Sequence, residues 1–367
     1  EDKLQRVCAL LLRRTGHDFS GYKRTTLVRR TQRRMTVLGV GSLAEYLELI
    51  DHTPGELDRL FRDLLIGVTH FFRDLEAFEV LAREILPLIL AARRSDDPVR
   101  VWVPGCSTGE EAYTLAILFR EAAQVDGIPV KIFATDIDER ALEAARTGRY
   151  PSAIAEHVSP ERLDRFFLRL GDAFQIRKEI REMCVFSAHN LITDPPFSRL
   201  DLISCRNLLI YLENEIQRSI FPLFHYALRP SGYLLLGPSE NVTAAPALFS
   251  TVDAKRRIFR RKDVVVPVAF PIGGEHRRDL RPVRQPPDDE LSAKDAGVAR
   301  VLERVLLASY APPAVVVNAD GDIMFVSGRT GKYLELAPGM AGVNVLEMIR
   351  KDLRPHLHAV LHEAKSG

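Results

Sequence analysis

The chain of 367 residues carries a formal net charge of +2, with 46% hydrophobic and 27% charged residues, a composition typical of two or three soluble globular domains. The small net charge argues against a protein that binds polyanions through its overall charge. No apolar run approaches the roughly 20 residues that cross a bilayer, and no secretory signal is recognisable. We therefore expect a cytoplasmic protein without membrane insertion.

The cysteines predict neither a disulfide framework nor a zinc site. They are scattered, form no CxxC pair and have no histidine at ligand spacing; they are Cys8, Cys106, Cys184 and Cys205. Thiols of this kind are typical of a reducing compartment, and we predict no bound metal.

Residues 1–90 predict a small all-helical domain, because apolar residues recur at intervals of three and four, as in Leu57, Leu60, Phe61 and Leu64. A helix predicted at Tyr22–Met35 is strongly basic. Its arginines include Arg29, Arg30, Arg33 and Arg34. They indicate either a docking surface for an acidic partner or a solvated helix face.

Residues 91–262 predict a doubly wound, mostly parallel sheet, because short apolar runs alternate with amphipathic segments. The predicted strands are Val99–Val103, Val130–Thr135, Cys184–Ser187, Leu200–Ser204 and Tyr233–Leu236. The predicted helices lie near Glu110–Gln124, Glu139–Thr147 and Asn214–Leu228. Such sheets bind ligands beyond the carboxyl ends of their strands, so a site is expected there.

The loop after the first predicted strand leads through Gly105 and Gly109 into a helix. It lacks the Gly-Lys-Ser/Thr ending of a P-loop and does not match GxGxxG. Glu110 and Glu111 occupy the start of the helix, where they would repel a pyrophosphate but suit a ligand with a sulfonium and an ammonium group. The alternative is that both acids only stabilise the helix N-terminus.

Asp136 ends the second predicted strand. An acid at this position is the expected partner of the ribose hydroxyls of an adenosine-containing ligand. The alternative role, N-cap of the following helix, fits Asp138 better. The glycine loop and Asp136 together predict a sheet that binds a nucleoside.

Five sequence blocks stand in order along residues 1–262. They are Val68-Thr69-His70-Phe71-Phe72-Arg73-Asp74, Ser107-Thr108-Gly109-Glu110-Glu111-Ala112-Tyr113, Ala134-Thr135-Asp136-Ile137-Asp138, Ser204-Cys205-Arg206-Asn207-Leu208-Leu209-Ile210-Tyr211, and Leu228-Arg229-Pro230-Ser231-Gly232 followed by Ser239-Glu240-Asn241. Together they resemble the chemotaxis receptor glutamate methyltransferases (CheR type). The resemblance implies an α/β fold: a Rossmann-like, S-adenosylmethionine-dependent methyltransferase sheet preceded by a small all-helical domain.

The resemblance also implies S-adenosylmethionine as cofactor, S-adenosylhomocysteine as product, and Arg73 and Tyr211 at the reaction centre. The residues that it implies around the cofactor are Thr69, Arg73, Gly105, Glu110, Glu111, Asp136, Asn190, Leu191, Arg206 and Asn207. Each has a local alternative: Arg73 and Asp74 as an ion pair at a helix start, Tyr211 as packing, Asn190 as a turn cap. The implied partner is the acidic, helical methylation region of a chemoreceptor, which the basic helix would dock.

Two departures from the family are visible. Many relatives have Asn where this chain has Gly67, so only backbone contacts are available there. The segment Arg162–Arg181 is short, whereas in relatives that hold a receptor's C-terminal tail this region forms a small β-subdomain. We therefore expect an enzyme that does not depend on a receptor tail.

Two other functions compete with this interpretation. Asp194-Pro195-Pro196-Phe197 matches the motif of adenine N6 methyltransferases that act on nucleic acid, but it precedes the fourth predicted strand instead of following it. No nucleic-acid partner is therefore expected. The second alternative is an S-adenosylmethionine-binding sensor or adaptor without catalysis, which the presence of Arg73 and Tyr211 disfavours.

Residues 263–292 are rich in proline and charge and predict a linker. Residues 293–367 predict a small separate module, with a helix at 292–309 that is a candidate for dimerisation and then a hairpin. The hairpin strands and turn are Ala314–Val317, Asn318–Gly321 and Ile323–Val326. With Gly331–Leu334, they resemble part of a PAS sensor domain, so a partial PAS-like α+β module is expected.

Overall fold

The computed structural model describes residues 3–53, 55–65, 67–93, 97–122 and 128–264, and further along the chain 314–317, 323–327, 345–349, 353, 354 and 357. The chain forms two compact units, Glu1–Ile272 and Gly273–Gly367. The first unit contains both the predicted helical region and the predicted sheet. The domain boundaries placed near residues 90, 262 and 292 remain predictions.

The first part of this unit is all-helical. Its helices are α1 (Lys3–Thr15), α2 (Arg24–Leu38), α3 (Leu43–His52) and α4 (Glu56–Leu64). Their apolar faces meet in one core, in which Leu11, Phe19, Tyr46 and Leu60 are fully buried. The spacing of three and four that predicts these helices is the spacing that turns one face of each helix inward. The prediction of an N-terminal helical domain is confirmed.

A longer helical segment leads from this domain to the sheet. It runs as α5 (Leu75–Val80), a π-helical turn (Leu81–Ile85) and α6 (Leu86–Ala91). Phe78, Leu81 and Ile85 are buried in the core that also contains the sheet. Pro87 stands in the first turn of α6; because proline has no N–H to donate, the helix widens locally at this point.

The rest of the unit alternates strands and helices. The strands are β1 (Val99–Pro104), β2 (Val130–Asp136), β3 (Arg149–Pro151), β4 (Phe167–Leu170), β5 (Ala173–Ile176), β6 (Cys184–Ala188), β7 (Leu200–Cys205), β8 (Leu228–Leu236), β9 (Phe249–Asp253) and β10 (Ile258–Arg261). The helices are α7 (Glu110–Ala122), α8 (Glu139–Thr147), α9 (Pro160–Phe166), α10 (Lys178–Arg181) and α11 (Asn214–Ala227), with short 3₁₀ turns at Ser152–Glu156 and Leu209–Tyr211.

Seven strands form the central sheet in the order β6-β2-β1-β7-β8-β10-β9. The strands from β6 to β8 are parallel, and β10 is antiparallel to both β8 and β9. All five predicted strands are present, although β8 begins at Leu228 rather than Tyr233. The pair β9 and β10 is an addition that the apolar pattern does not indicate, because only part of each strand is buried.

A second, small antiparallel sheet has the order β3-β5-β4. Leu170 pairs with Ala173, so only Gly171 and Asp172 connect β4 to β5, and Gly171 has the positive φ (64°) that such a tight turn requires. The segment Arg162–Arg181 thus forms part of a β-subdomain in spite of its shortness. Shortness alone is therefore no argument for an enzyme that ignores receptor tails, and that expectation loses its basis.

In the second unit, β11 (Ala314–Val317) and β12 (Ile323–Ser327) pair antiparallel, and α12 (Val345–Met348) follows. The predicted hairpin is confirmed, but these elements do not establish a PAS-like module. Residues 265–292 of the predicted linker, the helix predicted at 292–309, the turn Asn318–Gly321 and Gly331–Leu334 lie outside the described residues. None of the helices in the described ranges has the length and apolar content needed to cross a membrane.

Candidate functional site

A pocket opens at the carboxyl ends of the parallel strands, where the fold predicts a ligand site. Six of the residues predicted at the site line it: Gly105, Asp136, Asn190, Leu191, Asn207 and Tyr211. One side of the pocket is closed by Tyr22, Leu64 and Leu65 of the helical domain and by Gly67 in the loop that follows α4. The other predicted residues, Thr69, Arg73, Glu110, Glu111 and Arg206, lie outside this lining.

The loop after β1 turns sharply at the base of the pocket. Gly105 has a φ of 71°, and a Cβ there would stand 3.0 Å from Leu208 Cδ2. Gly109 has a φ of 93°, and its Cβ would stand 2.8 Å from Ala145 Cβ. Both positions therefore require glycine, for the backbone angle and for the close approach.

Asp136 presents its carboxylate at the end of β2. Ser107 N donates to Oδ2 at 2.8 Å, and Asp138 N donates to Oδ1 at 3.0 Å. Burial raises the pKa of Asp136, although these backbone donors act in the opposite direction. Asp138 is the N-cap of α8 and accepts from Arg140 N and Ala141 N, so the N-cap role belongs to Asp138, as predicted.

Asn190 and Leu191 belong to a turn after β6. Asn190 Oδ1 accepts from Ile192 N at 3.0 Å, which makes Asn190 a turn former as well as a pocket residue. Asp194 Oδ2 accepts from Asn190 N at 2.8 Å. The motif shared with adenine N6 methyltransferases thus lies between β6 and β7, and its Asp194 holds this turn, which is a structural role.

Asn207 and Tyr211 come from the loop after β7. Asn207 has a φ of 59°, a left-handed conformation that Asn tolerates better than most residues. Tyr211 ends the 3₁₀ turn, and its carbonyl oxygen accepts from Lys23 N at 2.8 Å. The same stretch of the helical domain carries Tyr22, whose pKa burial raises to about 12.

Tyr22, Leu64, Leu65, His189 and Leu208 line the pocket but were not predicted to do so. Tyr22 and the two leucines belong to the helical domain and its loops, and helical periodicity shows only that such residues are buried. It does not show which strand ends they cover, so the sequence contains no local signal for this wall.

Glu111 and Arg206 face each other beside the pocket. Arg206 Nη1 donates to Glu111 Oε2 at 3.3 Å, and its Nη2 lies 2.6 Å from Asp74 Oδ2 and 2.9 Å from the Arg73 carbonyl oxygen. Ser204 Oγ donates to Glu111 Oε1 at 2.7 Å. The Arg206 side chain is 1% exposed, and within the described ranges its Nε has no hydrogen-bond partner.

Glu110 is buried at the start of α7, where its Oε2 accepts from Thr108 Oγ1 at 2.6 Å. Burial raises its pKa. This arrangement corresponds to the alternative role, a stabiliser of the helix start. A direct contact with the cofactor remains a prediction.

Thr69 and Arg73 lie in the loop before α5. Arg73 Nη1 donates to the Val68 carbonyl oxygen at 2.8 Å, so the guanidinium contacts its own loop. The loop is anchored by Phe71, which is 1% exposed. Asp74 pairs with Arg206, which replaces the local ion pair between Arg73 and Asp74 considered from the sequence.

The arginines of α2 divide into two groups. Arg34 Nε and Nη2 donate to Glu56 Oε1 and Oε2 at 2.9 and 2.8 Å, with side chains 12% and 0% exposed. Arg29 and Arg33 are exposed, and Arg30 is half-buried. Arg34 is thus engaged within the helical domain, whereas Arg29 and Arg33 remain accessible.

Two family models match the chain. Residues 2–65 match the CheR methyltransferase all-alpha domain, and residues 67–258 match the CheR methyltransferase SAM binding domain. The rRNA methyltransferase AviRa from Streptomyces viridochromogenes is a solved structure with 18% identity and a TM-score of 0.33, over 53% of this chain and 86% of that one. A TM-score this low supports no argument.

Curated relatives extend the match. An uncharacterized 104.1 kDa protein of Rhodobacter capsulatus is 37% identical over 369 residues, which cover 99% of this chain and 38% of that protein. The chain thus spans well under half of that relative. The chemotaxis protein methyltransferase of Salmonella typhimurium is 33% identical over 67% of this chain and 86% of that protein. The chain belongs to the CheR methyltransferase family.

Proposed function

We propose that this chain transfers the methyl group of S-adenosylmethionine to glutamate side-chain carboxylates of chemoreceptor-like proteins, forming methyl esters in chemotaxis-type signalling. Family membership supports methyl transfer, and the Salmonella relative is named a chemotaxis protein methyltransferase. The observation that carries the proposal is the pocket at the strand ends, whose lining joins Asp136, Asn207 and Tyr211.

The pocket residues fit the cofactor. Asp136 accepts backbone N–H groups from Ser107 and Asp138, and because a carboxylate has about four acceptor positions, it retains acceptor capacity for a ribose hydroxyl. Asn190 uses its side-chain oxygen within its own turn, which leaves the amide N–H groups to serve ring nitrogens of adenine. The close glycine turn at Gly105 keeps this wall free of side-chain bulk.

Bound S-adenosylmethionine supplies an electrophilic methyl group on a sulfonium. A glutamate acceptor has an ordinary pKa of about 4.3 and is ionised near neutral pH, so no general base is required. The chain must instead orient the carboxylate and exclude water. We assign this to Arg73, which binds it through a charge-assisted hydrogen bond, and to Tyr211, whose phenol donates from the pocket wall.

Arg73 is suited to orient the acceptor without binding it too tightly. Its guanidinium already donates to the Val68 carbonyl oxygen, so part of its donor capacity is committed. For docking, Arg29 and Arg33 on α2 provide accessible positive charge for an acidic receptor helix. Arg34 is excluded from this role because it is paired with buried Glu56.

Calorimetric titration with S-adenosylhomocysteine tests the cofactor site. We expect micromolar binding by the wild type, a loss of at least about a hundredfold in Asp136→Ala, since two hydrogen bonds to a charged group are removed, and no change in Asp172→Ala, an exposed acid in the β4–β5 turn. A well-folded wild type that does not bind S-adenosylhomocysteine would contradict the proposal.

Transfer of radiolabelled methyl groups to receptor fragments then tests the reaction. We expect Arg73→Ala to lower kcat about a hundredfold and to retain cofactor binding, because positioned groups contribute effects of this size. Binding without any transfer by the wild type would favour the sensor or adaptor instead.

A further inference from the structure

Glu240 is a buried carboxylate that the mechanism above leaves without a role. It follows β8, is 4% exposed, and belongs to the sequence block Ser239-Glu240-Asn241, to which the resemblance assigns no function. A buried carboxylate is costly unless it is hydrogen-bonded. Its surroundings therefore indicate what it stabilises.

Backbone N–H groups donate to both oxygens of the Glu240 carboxylate. Gly237 N and Asn207 N donate to Oε2 at 2.7 and 2.9 Å, and Ile210 N donates to Oε1 at 3.3 Å. These donors belong to two loops, one after β8 and one after β7. Since β7 and β8 are parallel neighbours, Glu240 ties the ends of adjacent strands together.

The loop after β7 needs such support. Asn207 has a positive φ of 59°, which costs free energy for any residue except glycine. The 3₁₀ turn that follows is only three residues long, Leu209–Tyr211, and so contributes little cooperative stability of its own. Yet this segment carries both Asn207 and Tyr211 into the pocket lining.

We propose that Glu240 is a positioning residue for methyl transfer: its carboxylate fixes the loop after β7 so that Asn207 meets the cofactor and Tyr211 meets the acceptor. The inference rests on the proposed function. Only a carboxylate suits this place, because it accepts hydrogen bonds with both oxygens, whereas a glutamine would turn an NH₂ group toward backbone donors.

Gly237 offers a second way to disturb the same contact. A Cβ at this position would stand 2.7 Å from Glu240 Oε2 and 2.9 Å from Asn207 N. Gly237→Ala therefore disturbs the contact between the carboxylate and the Asn207 backbone without removing the charge. No positive φ complicates this substitution, because Gly237 is not among the residues with one.

The test compares wild type, Glu240→Gln, Gly237→Ala and the control Glu215→Gln, which changes an exposed acid on α11. Four quantities are measured: kcat, KM for the receptor fragment that the wild type methylates best, the Kd of S-adenosylhomocysteine, and amide hydrogen exchange residue by residue. For both loop variants we expect kcat to fall about tenfold to a hundredfold, the worth of hydrogen bonds to a charged group, with KM within about threefold.

Amide exchange separates positioning from general stability. We expect the amides of Asn207 and Ile210 to exchange at least about tenfold faster in Glu240→Gln, while those of β1 and β2 keep their wild-type rates, because local opening is independent of global unfolding. The control should match the wild type in every measurement.

Three outcomes would overturn the proposal: a folded Glu240→Gln with kcat within about threefold of wild type, faster exchange spread over the whole sheet, or failure of both loop variants to fold, which would make Glu240 a folding element. If the wild type methylates no fragment, the proposed function fails instead. The exchange rates and the Kd of S-adenosylhomocysteine then still decide whether Glu240 orders the pocket.

Discussion

Two buried arginine–glutamate clusters of this chain contain the same residue types and hold different things together. In the helical domain, Arg34 forms a two-pronged pair with Glu56, and Tyr46 Oη donates to Glu56 Oε1 at 2.9 Å. Burial acts to raise the pKa of Glu56, but the hydrogen bonds from Arg34 and Tyr46 outweigh it and leave the pKa below its ordinary value.

At the strand ends, Arg206 divides its guanidinium among Glu111, Asp74 and the Arg73 carbonyl oxygen. Here the effect of burial is the larger one. It raises the pKa of Glu111 although the charge of Arg206 and the hydrogen bond from Ser204 act to lower it, and the negative charge of Glu240 adds to the rise. The first cluster satisfies its acid fully, whereas in the second one cation is shared among three acceptors from two chain segments, the start of α7 and the loop before α5. The difference teaches that the helical cluster serves stability and the strand-end cluster serves placement of the site loops.

The same substitution in both clusters gives the largest expected effect. Among the described residues, Glu56→Gln leaves Arg34 with Asp63, at 3.8 Å, as its acidic partner, and we expect a loss of about 3–5 kcal/mol in the free energy of unfolding. Glu111→Gln leaves Arg206 paired with Asp74, and we expect a loss of about 1 kcal/mol. Urea denaturation of both variants measures the two losses in the free energy of unfolding. Equal losses would contradict the different roles assigned to the two clusters.

Arg206→Lys, set against Arg34→Lys, tests the different roles of the two clusters through catalytic activity. A lysine lacks the planar guanidinium fork that serves three acceptors, so the Arg73 loop loses its polar contacts with Arg206 and keeps the packing of Phe71. We expect kcat to fall about tenfold to a hundredfold, with a smaller loss of stability than in Arg34→Lys. Methyl transfer and thermal unfolding of the two variants measure this, and the idea fails if Arg34→Lys lowers kcat as much as Arg206→Lys does.

The pH dependence of stability should run in opposite directions for the two acids. Glu56 has a lowered pKa in the folded state, so its stabilisation is present above its ordinary pKa and is lost as the pH falls through the folded value. Glu111 has a raised pKa, so its relative stabilisation is present at low pH and is lost as the pH rises through the folded value.

Denaturation of wild type, Glu56→Gln and Glu111→Gln between about pH 4 and about pH 8 checks these signs. Relative to wild type, Glu111→Gln should gain stability as the pH rises, and Glu56→Gln should lose it. Parallel curves for the two variants would contradict the assignment.

The smallest expected effect on stability concerns the exposed arginine next to the helical cluster. Arg33→Gln should change the free energy of unfolding by less than about 0.5 kcal/mol, as exposed substitutions generally do. It should still raise KM for an acidic receptor fragment severalfold at low salt. Exposed charges attract each other over a Debye length, which is about 10 Å at 0.1 M salt and becomes longer as the salt concentration falls. A KM that is unchanged at low salt would remove Arg33 from the docking surface.

Local patterns determined the parallel strands, the main helices and part of the site. The alternation of apolar runs and amphipathic segments placed β1, β2 and β7, because a parallel strand inside a sheet that is covered on both faces is apolar along most of its length. It also placed the edge strand β6, which is only partly buried. Gly105 and Asp136 were also predictable from sequence, since a sharp turn after a strand and an acid at a strand end are local requirements of a nucleoside site. The pocket lining contains both.

Only the tertiary structure decided which charges pair and which side chains complete the pocket. Arg34 and Arg33 are neighbours in the sequence, yet one is paired with Glu56 and the other is exposed. Glu240 meets Asn207 across 33 positions of chain, and Tyr22 reaches the pocket from another domain. Burial and hydrogen bonding of this kind depend on distant segments brought together by folding, and no local spacing in the sequence records them.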